Sequence, residues 1–139
     1  MILDHELEIS DAQSITGATG AIAGSNVLDL GIAGKDIRGD IHIICVVDTV
    51  FDSSGEAATL TVTVVTDDNE GLSSATTIYT TGSIAEISLV AGYQVFDLNL
   101  NSLGKNVLER YIGVSYTVGT EAFTTGKVNT YAVIDKQTA

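Results

Sequence analysis

Apolar and polar positions alternate along this chain in short runs. In residues 58–70, ATLTVTVVTDDNE, Leu60, Val62 and Val64 fall on one face of an extended strand and Thr59, Thr61 and Thr63 on the other. β-Branched side chains have little χ1 freedom to lose in a pleated sheet. Asp67-Asp68-Asn69-Glu70-Gly71 combines turn formers with charges that resist burial, so this strand is expected to end near Thr66. A second sheet is then needed to cover the face of Leu60, Val62 and Val64.

The flanking segments repeat the pattern. Residues 3–10 set Leu3, His5, Leu7 and Ile9 against Asp4, Glu6 and Glu8, which reads as an edge strand or an arm. Residues 11–25 are small and polar, with Gly17, Gly20 and Gly24, and read as a loop. Residues 26–30 form a short strand with Leu28 and Leu30 inward, followed by a turn-rich connection to residue 40. IHIICVVDTVF, residues 41–51, is apolar at nearly every position up to Val47 and predicts a strand covered on both sides. The DSSGE that follows has the composition of a hairpin loop, which would pair this strand antiparallel with residues 60–65. Further strands are expected at 76–81, 84–89, 93–100, 107–118 and 127–134, with Phe123 after a Gly119-Thr120 turn. No segment repeats apolar residues at three and four over ten or more positions, so no long helix is expected. Eight or nine short strands without helical crossovers predict an all-β fold, an antiparallel β-sandwich of jelly-roll type in a single domain.

Composition narrows the partners. A chain of 139 residues can bury a core without staples, and the single cysteine, Cys45, excludes an intramolecular disulfide. Acidic residues outnumber Lys and Arg by 18 to 6 and no basic cluster occurs, so no nucleic-acid partner is expected. The N-terminus lacks a basic stretch followed by an apolar run, and no segment has the length to span a bilayer; the expectation is a soluble, unexported chain with no membrane partner.

Candidate chemistry is sparse. His42 and Cys45 would face opposite sides of one strand, and His5 is remote in sequence, so neither metal spacing nor a nucleophile arrangement is present. Asp67-Asp68-Asn69-Glu70-Gly71 resembles a calcium-loop fragment in composition but lacks the alternating ligands and distal glutamate of an EF-hand; it reads as a solvated turn. Glu6 and Glu8 share a strand face without a visible cleft. No G-x-S-x-G or phosphate-binding glycine motif occurs, and the expectation is no enzyme, no cofactor and no metal.

Several stretches taken in order carry a resemblance: MILDHELEISDAQSIT, TLTVTVVTDDNEGLSSATTIYTTGSI, LVAGYQVFDLNL and ERYIGVSYTVG. Together they resemble the capsid cement, or decoration, proteins of tailed bacteriophages of the Bordetella-phage short-tailed type. The resemblance implies a jelly-roll-like sandwich on the outer face of a mature shell, made in the bacterial host cytoplasm, bridging major capsid subunits and adding no catalysis. The glycine-rich residues 17–24, the NSLGKNV connection and the early C-terminus depart from the family pattern. The implied partners are the major capsid protein and the chain itself, as a homodimer with a trimer as the alternative. Two contact segments follow. An N-terminal arm carries Ile2, Leu3, Leu7 and Ile9, and a charged surface joins Asp67, Asp68, Asn69 and Glu70 to Glu109, Arg110 and Tyr111. The competing function is a carbohydrate- or host-surface-binding module of a tail or fibre; its tyrosines, Tyr79, Tyr93, Tyr111, Tyr116 and Tyr131, are scattered rather than clustered.

Overall fold

The computed structural model describes residues 7–31, 40–103 and 107–134. They form ten strands: β1 (Glu8–Ser14), β2 (Gly20–Ala23), β3 (Leu28–Asp29), β4 (Ile41–Ser53), β5 (Thr59–Asp67), β6 (Thr76–Thr80), β7 (Ile84–Ala85), β8 (Gln94–Asn99), β9 (Tyr111–Gly119) and β10 (Phe123–Ile134). Two single 3₁₀ turns, Glu86–Ser88 and Leu100–Leu103, flank β8. One sheet has the order β1-β10-β4-β8 and the other β2-β9-β5-β6, with β3 added beside β9 and β7 beside β5. All pairings are antiparallel.

The pairs are nested. β1 pairs with β10, β2 and β3 with β9, β4 with β8, and β5 with β6. The chain is thus a long two-stranded ribbon whose tip is the acidic turn after β5, and the ribbon is folded over so that β10 also meets β4 and β9 also meets β5. That is jelly-roll pairing, and it agrees with the fold class expected from the alternation.

Alternation places the core as expected. Leu60, Val62 and Val64 of β5 face Ile43, Cys45 and Val47 of β4, joined by Ile112, Val114 and Tyr116 of β9 and by Phe96 and Leu98 of β8. Burial pushes the Cys45 thiol up to about 12, so it serves as a small core side chain. The apolar run of β4 has a different explanation from coverage by two layers. Ile44 is buried on the outer face, where its cross-strand neighbours are Tyr131 and Asp97. On the same face His42 lies between Asp97 at 2.6 Å and Asp40 at 3.1 Å, and the Asp97 hydrogen bond raises the imidazole above its ordinary pKa.

Three expectations need correction. β4 and β5 are not a hairpin: they belong to opposite sheets, and residues 54–58 arch between them. Glu121 holds that arch, its carboxylate accepting from the Ser53 hydroxyl at 2.7 Å and from the N–H groups of Gly55 (3.0 Å) and Ala57 (2.9 Å). These bonds, the Ser53 hydroxyl foremost, keep the Glu121 carboxyl below the usual range. Residues 11–25 are not all loop. β1 continues to Ser14 through a bulge in which Ala12 takes φ 42° and donates its N–H to Asn129 at 2.6 Å, and β2 follows. Residues 84–89 are two residues of strand and a 3₁₀ turn, in which the Leu89 N–H donates to Glu86 O at 2.9 Å.

One feature ties the two sheets together, and another packs neighbouring strands of one sheet. Tyr116, on β9, carries its hydroxyl across the core to Ser10 of β1 at 2.8 Å and Thr130 of β10 at 2.6 Å. Gly126 lets β10 pass beneath the Phe51 ring, which packs edge-on against Phe123 with centroids 4.7 Å apart. Gly126 has φ 146°, and a Cβ there would lie 2.3 Å from Phe51 Cδ1. Tyr116→Phe is expected to lower the unfolding free energy by about 1–3 kcal/mol, because two buried hydroxyls lose a partner. An unchanged urea midpoint would show that they find others. Gly126→Ala is expected to cost about 1–3 kcal/mol by overpacking against Phe51. Chemical denaturation checks this, and a stability equal to the parent would mean that the ring has room to move.

Candidate functional site

The two charged segments picked out in the sequence come together at one end of the six-stranded sheet. β9 runs antiparallel beside β5 so that Asp67 lies opposite Tyr111. Thr66, fully buried, fastens the two: its hydroxyl donates to Tyr111 O at 3.0 Å and accepts the Glu109 N–H at 2.9 Å. The acidic turn and Glu109-Arg110-Tyr111 therefore form one surface.

Asp67 departs from the expectation of a solvated turn. The last residue of β5, it is buried, and its carboxylate organises the turn from inside. It accepts the Ser74 N–H at 2.8 Å and the Asn69 N–H at 3.3 Å. These bonds, the Ser74 N–H first, hold its carboxyl below the usual range. A charge resists burial unless such donors replace water, and the turn supplies them. Asn69 closes the next step, accepting the Gly71 N–H on its side chain at 2.8 Å and the Leu72 N–H on its carbonyl at 2.9 Å. Leu72 then lies over Gly113 of β9, where a Cβ would be 2.3 Å from its Cδ1. Asp68, Asn69 and Glu70 stay exposed on a turn that is firmly seated.

Arg110 makes a two-point ion pair with Asp29 of β3, Nε to Oδ1 at 2.9 Å and Nη2 to Oδ2 at 3.0 Å. It also lies 5.1 Å from the centre of the Tyr111 ring. The Arg110 hydrogen bond holds the Asp29 carboxyl below its ordinary value. Both side chains are about half exposed, so the pair orients the guanidinium more than it stabilises the fold. Asp29, Thr66, Ser74 and Leu72 had no signal in the sequence, since each acts through a partner remote along the chain or through the detailed path of the turn.

One carboxylate oxygen each from Asp67, Asp68 and Glu109 lies within 4.8 Å of the others. Three carboxylates could touch a hard cation, but calcium takes six to eight oxygens, and Asp67 is already engaged by the turn. The cluster needs no ion to explain it.

The N-terminal candidates divide. Ile9 is a fully buried core residue of β1, whose neighbour Glu8 pairs with Tyr131, so its side chain is committed to the sandwich. Leu7 is half-buried and lines a recess of about 110 Å³ with Leu28, Leu30, Ile41 and Ala132. Ile2 and Leu3 lie outside the described residues.

The described residues thus form a jelly-roll sandwich with a hydrogen-bonded acidic end. The chain belongs to the Bbp16 family, whose model matches residues 9–132. The family's name suggests a protein of a Bordetella phage. No curated protein matches the chain.

Asp67 also predicts a pH signature. Its depressed pKa means that its stabilising effect is present above the unfolded value of about 3.9 and is lost as the pH falls through the lower folded value. Asp67→Asn should therefore melt below the parent at pH 7, and the gap should narrow between pH 4 and pH 2. Thermal melts across that range check it; a gap independent of pH would show that the charge is not what holds the turn.

Proposed function

We propose that this chain is a structural virion protein, a cement or decoration protein that binds the outer face of a phage shell and bridges its major subunits. The observation that carries the reading is the family match, which covers nearly the whole sandwich from β1 to β10. The form of the molecule supports it. Its turns are closed by hydrogen bonds, and none of the described buried side-chain polar atoms lacks a partner, so the surface can dock with little reorganisation. A net charge of −12 favours the solubility of free copies and weakens attraction to packaged nucleic acid. In this reading Asp68, Asn69, Glu70, Glu109, Arg110 and Tyr111 form one contact surface, at which the ion pair with Asp29 fixes the one cation. The role is non-catalytic, and the partners are the major capsid protein and a second copy of the chain.

Quantitative mass spectrometry of purified virions, scaled to the major shell protein, tests this. A ratio near one to one is expected. A handful of copies would instead make the chain a tail or vertex component, and complete absence would remove it from the virion.

A further inference from the structure

Among the described residues, five large apolar side chains are exposed, and four of them belong to one segment and the strand it bonds to: Ile87, Val90 and Tyr93 within residues 86–93, and Val50 on the neighbouring stretch of β4. Ile87 is 87% exposed, and Val50, Val90 and Tyr93 are each open to solvent. Residues 89–93 run along β4 as an irregular edge of the four-stranded sheet: the Phe51 N–H donates to Leu89 O at 3.0 Å, the Val47 N–H to Tyr93 O at 2.9 Å, and the Gly92 N–H to Val47 O at 2.9 Å. Leu89 is fully buried and anchors the segment from below. The ledge is therefore tied to β4 by backbone bonds. Isolated surface aliphatics are ordinary, whereas three aliphatics and a tyrosine on one fixed ledge have the make-up of an interface centre.

Its position adds a second argument. Glu86 donates its N–H to Ala58 O, next to the start of β5, whereas the acidic turn follows the end of β5. The Glu86 end of the ledge is thus about 26 Å from the acidic end, taking about 3.3 Å per residue along the strand, and the ledge extends from there along β4. A protein that bridges two neighbours needs two separated contact surfaces.

Resting on the cement reading, we propose that the ledge of Val50, Ile87, Val90 and Tyr93 seats on the major shell protein, against an apolar patch rimmed by Lys or Arg. The rim of the ledge selects that occupant. Asp48 and Asp52 flank Val50 on β4, the Glu86 carboxylate beside Ile87 is turned to the Ser53 hydroxyl, and Lys127, opposite Thr49, is the one described cation near them in register. A second copy would bring the same acidic rim and another −12 of charge, whereas a basic rim complements it.

The test uses the full chain and shells purified from phage unable to make it. Binding is measured by co-sedimentation for the parent and for Ile87→Asp/Val90→Asp, together with melting temperature and light-scattering mass. The exposed substitutions should leave melting within about 2 °C of the parent. If they do not, Ile87→Ser/Val90→Ser takes their place. The variant is expected to bind shells about tenfold or more weakly, and parent binding should weaken as salt rises. Parent-like binding by the variant would overturn the ledge and leave the cement reading standing. Unchanged shell binding with a fall in oligomer mass would assign the ledge to a second copy, which also overturns the proposal. Failure of the parent itself to bind shells would reject the cement reading and the ledge with it.

Discussion

A hydroxyl in the middle of an apolar core must find partners, and Tyr116 finds them only if the two sheets are stacked in one way. Its ring is fully buried among the aliphatic side chains of both sheets, and its oxygen reaches Ser10 on β1 and Thr130 on β10. Apolar burial would tolerate small slides of one sheet over the other, but this three-hydroxyl group does not. The consequences run outward. Ser10 also donates to Gln13 Oε1, which accepts the Ser25 N–H, while Gln13 Nε2 donates to Ala23 O. The end of β2 and the residues that follow it are thereby tied to β1 by the same group that fixes the stacking.

The remaining crossings follow the same logic with carboxylates in place of hydroxyls. Glu121 gathers the N–H groups of the arch between β4 and β5, and Asp67 gathers those of the turn between β5 and β6. Each connection carries backbone donors that no sheet pairing can use, and a lowered carboxyl pKa at both sites is the signature of those donors. In a chain with an acidic excess, some of the charge is thus structural. Others, among them Asp68, Glu70 and Glu109, are exposed.

This division shapes what the protein can do. A sandwich held by internal bonds presents fixed surfaces at both ends, one acidic with an oriented Arg110 and Tyr111, the other apolar with an acidic rim. Small cavities such as the recess beside Leu7 sit at the edge of the core. In the proposed role these surfaces are the contacts with large partners, and the net charge favours partners of opposite sign.

The sequence by itself determined the all-β class, the inward set on β5 and the acidic turn, because alternation with period two and turn chemistry are local properties. It also singled out the two charged segments of the acidic end, although nothing local brought them together. Tertiary structure alone decided that β4 and β5 part into opposite sheets, since a hairpin and an arch require the same alternation and similar short loops. It decided that the polar stretch after β1 forms β2, which has little to bury and is held by its bonds to β9. It also decided that Asp67 turns inward and that Arg110 meets Asp29, pairings across 7 and 81 residues that depend on where the ribbon folds over. Burial pattern is written residue by residue, but the partner of a polar group is chosen by the path of the whole chain.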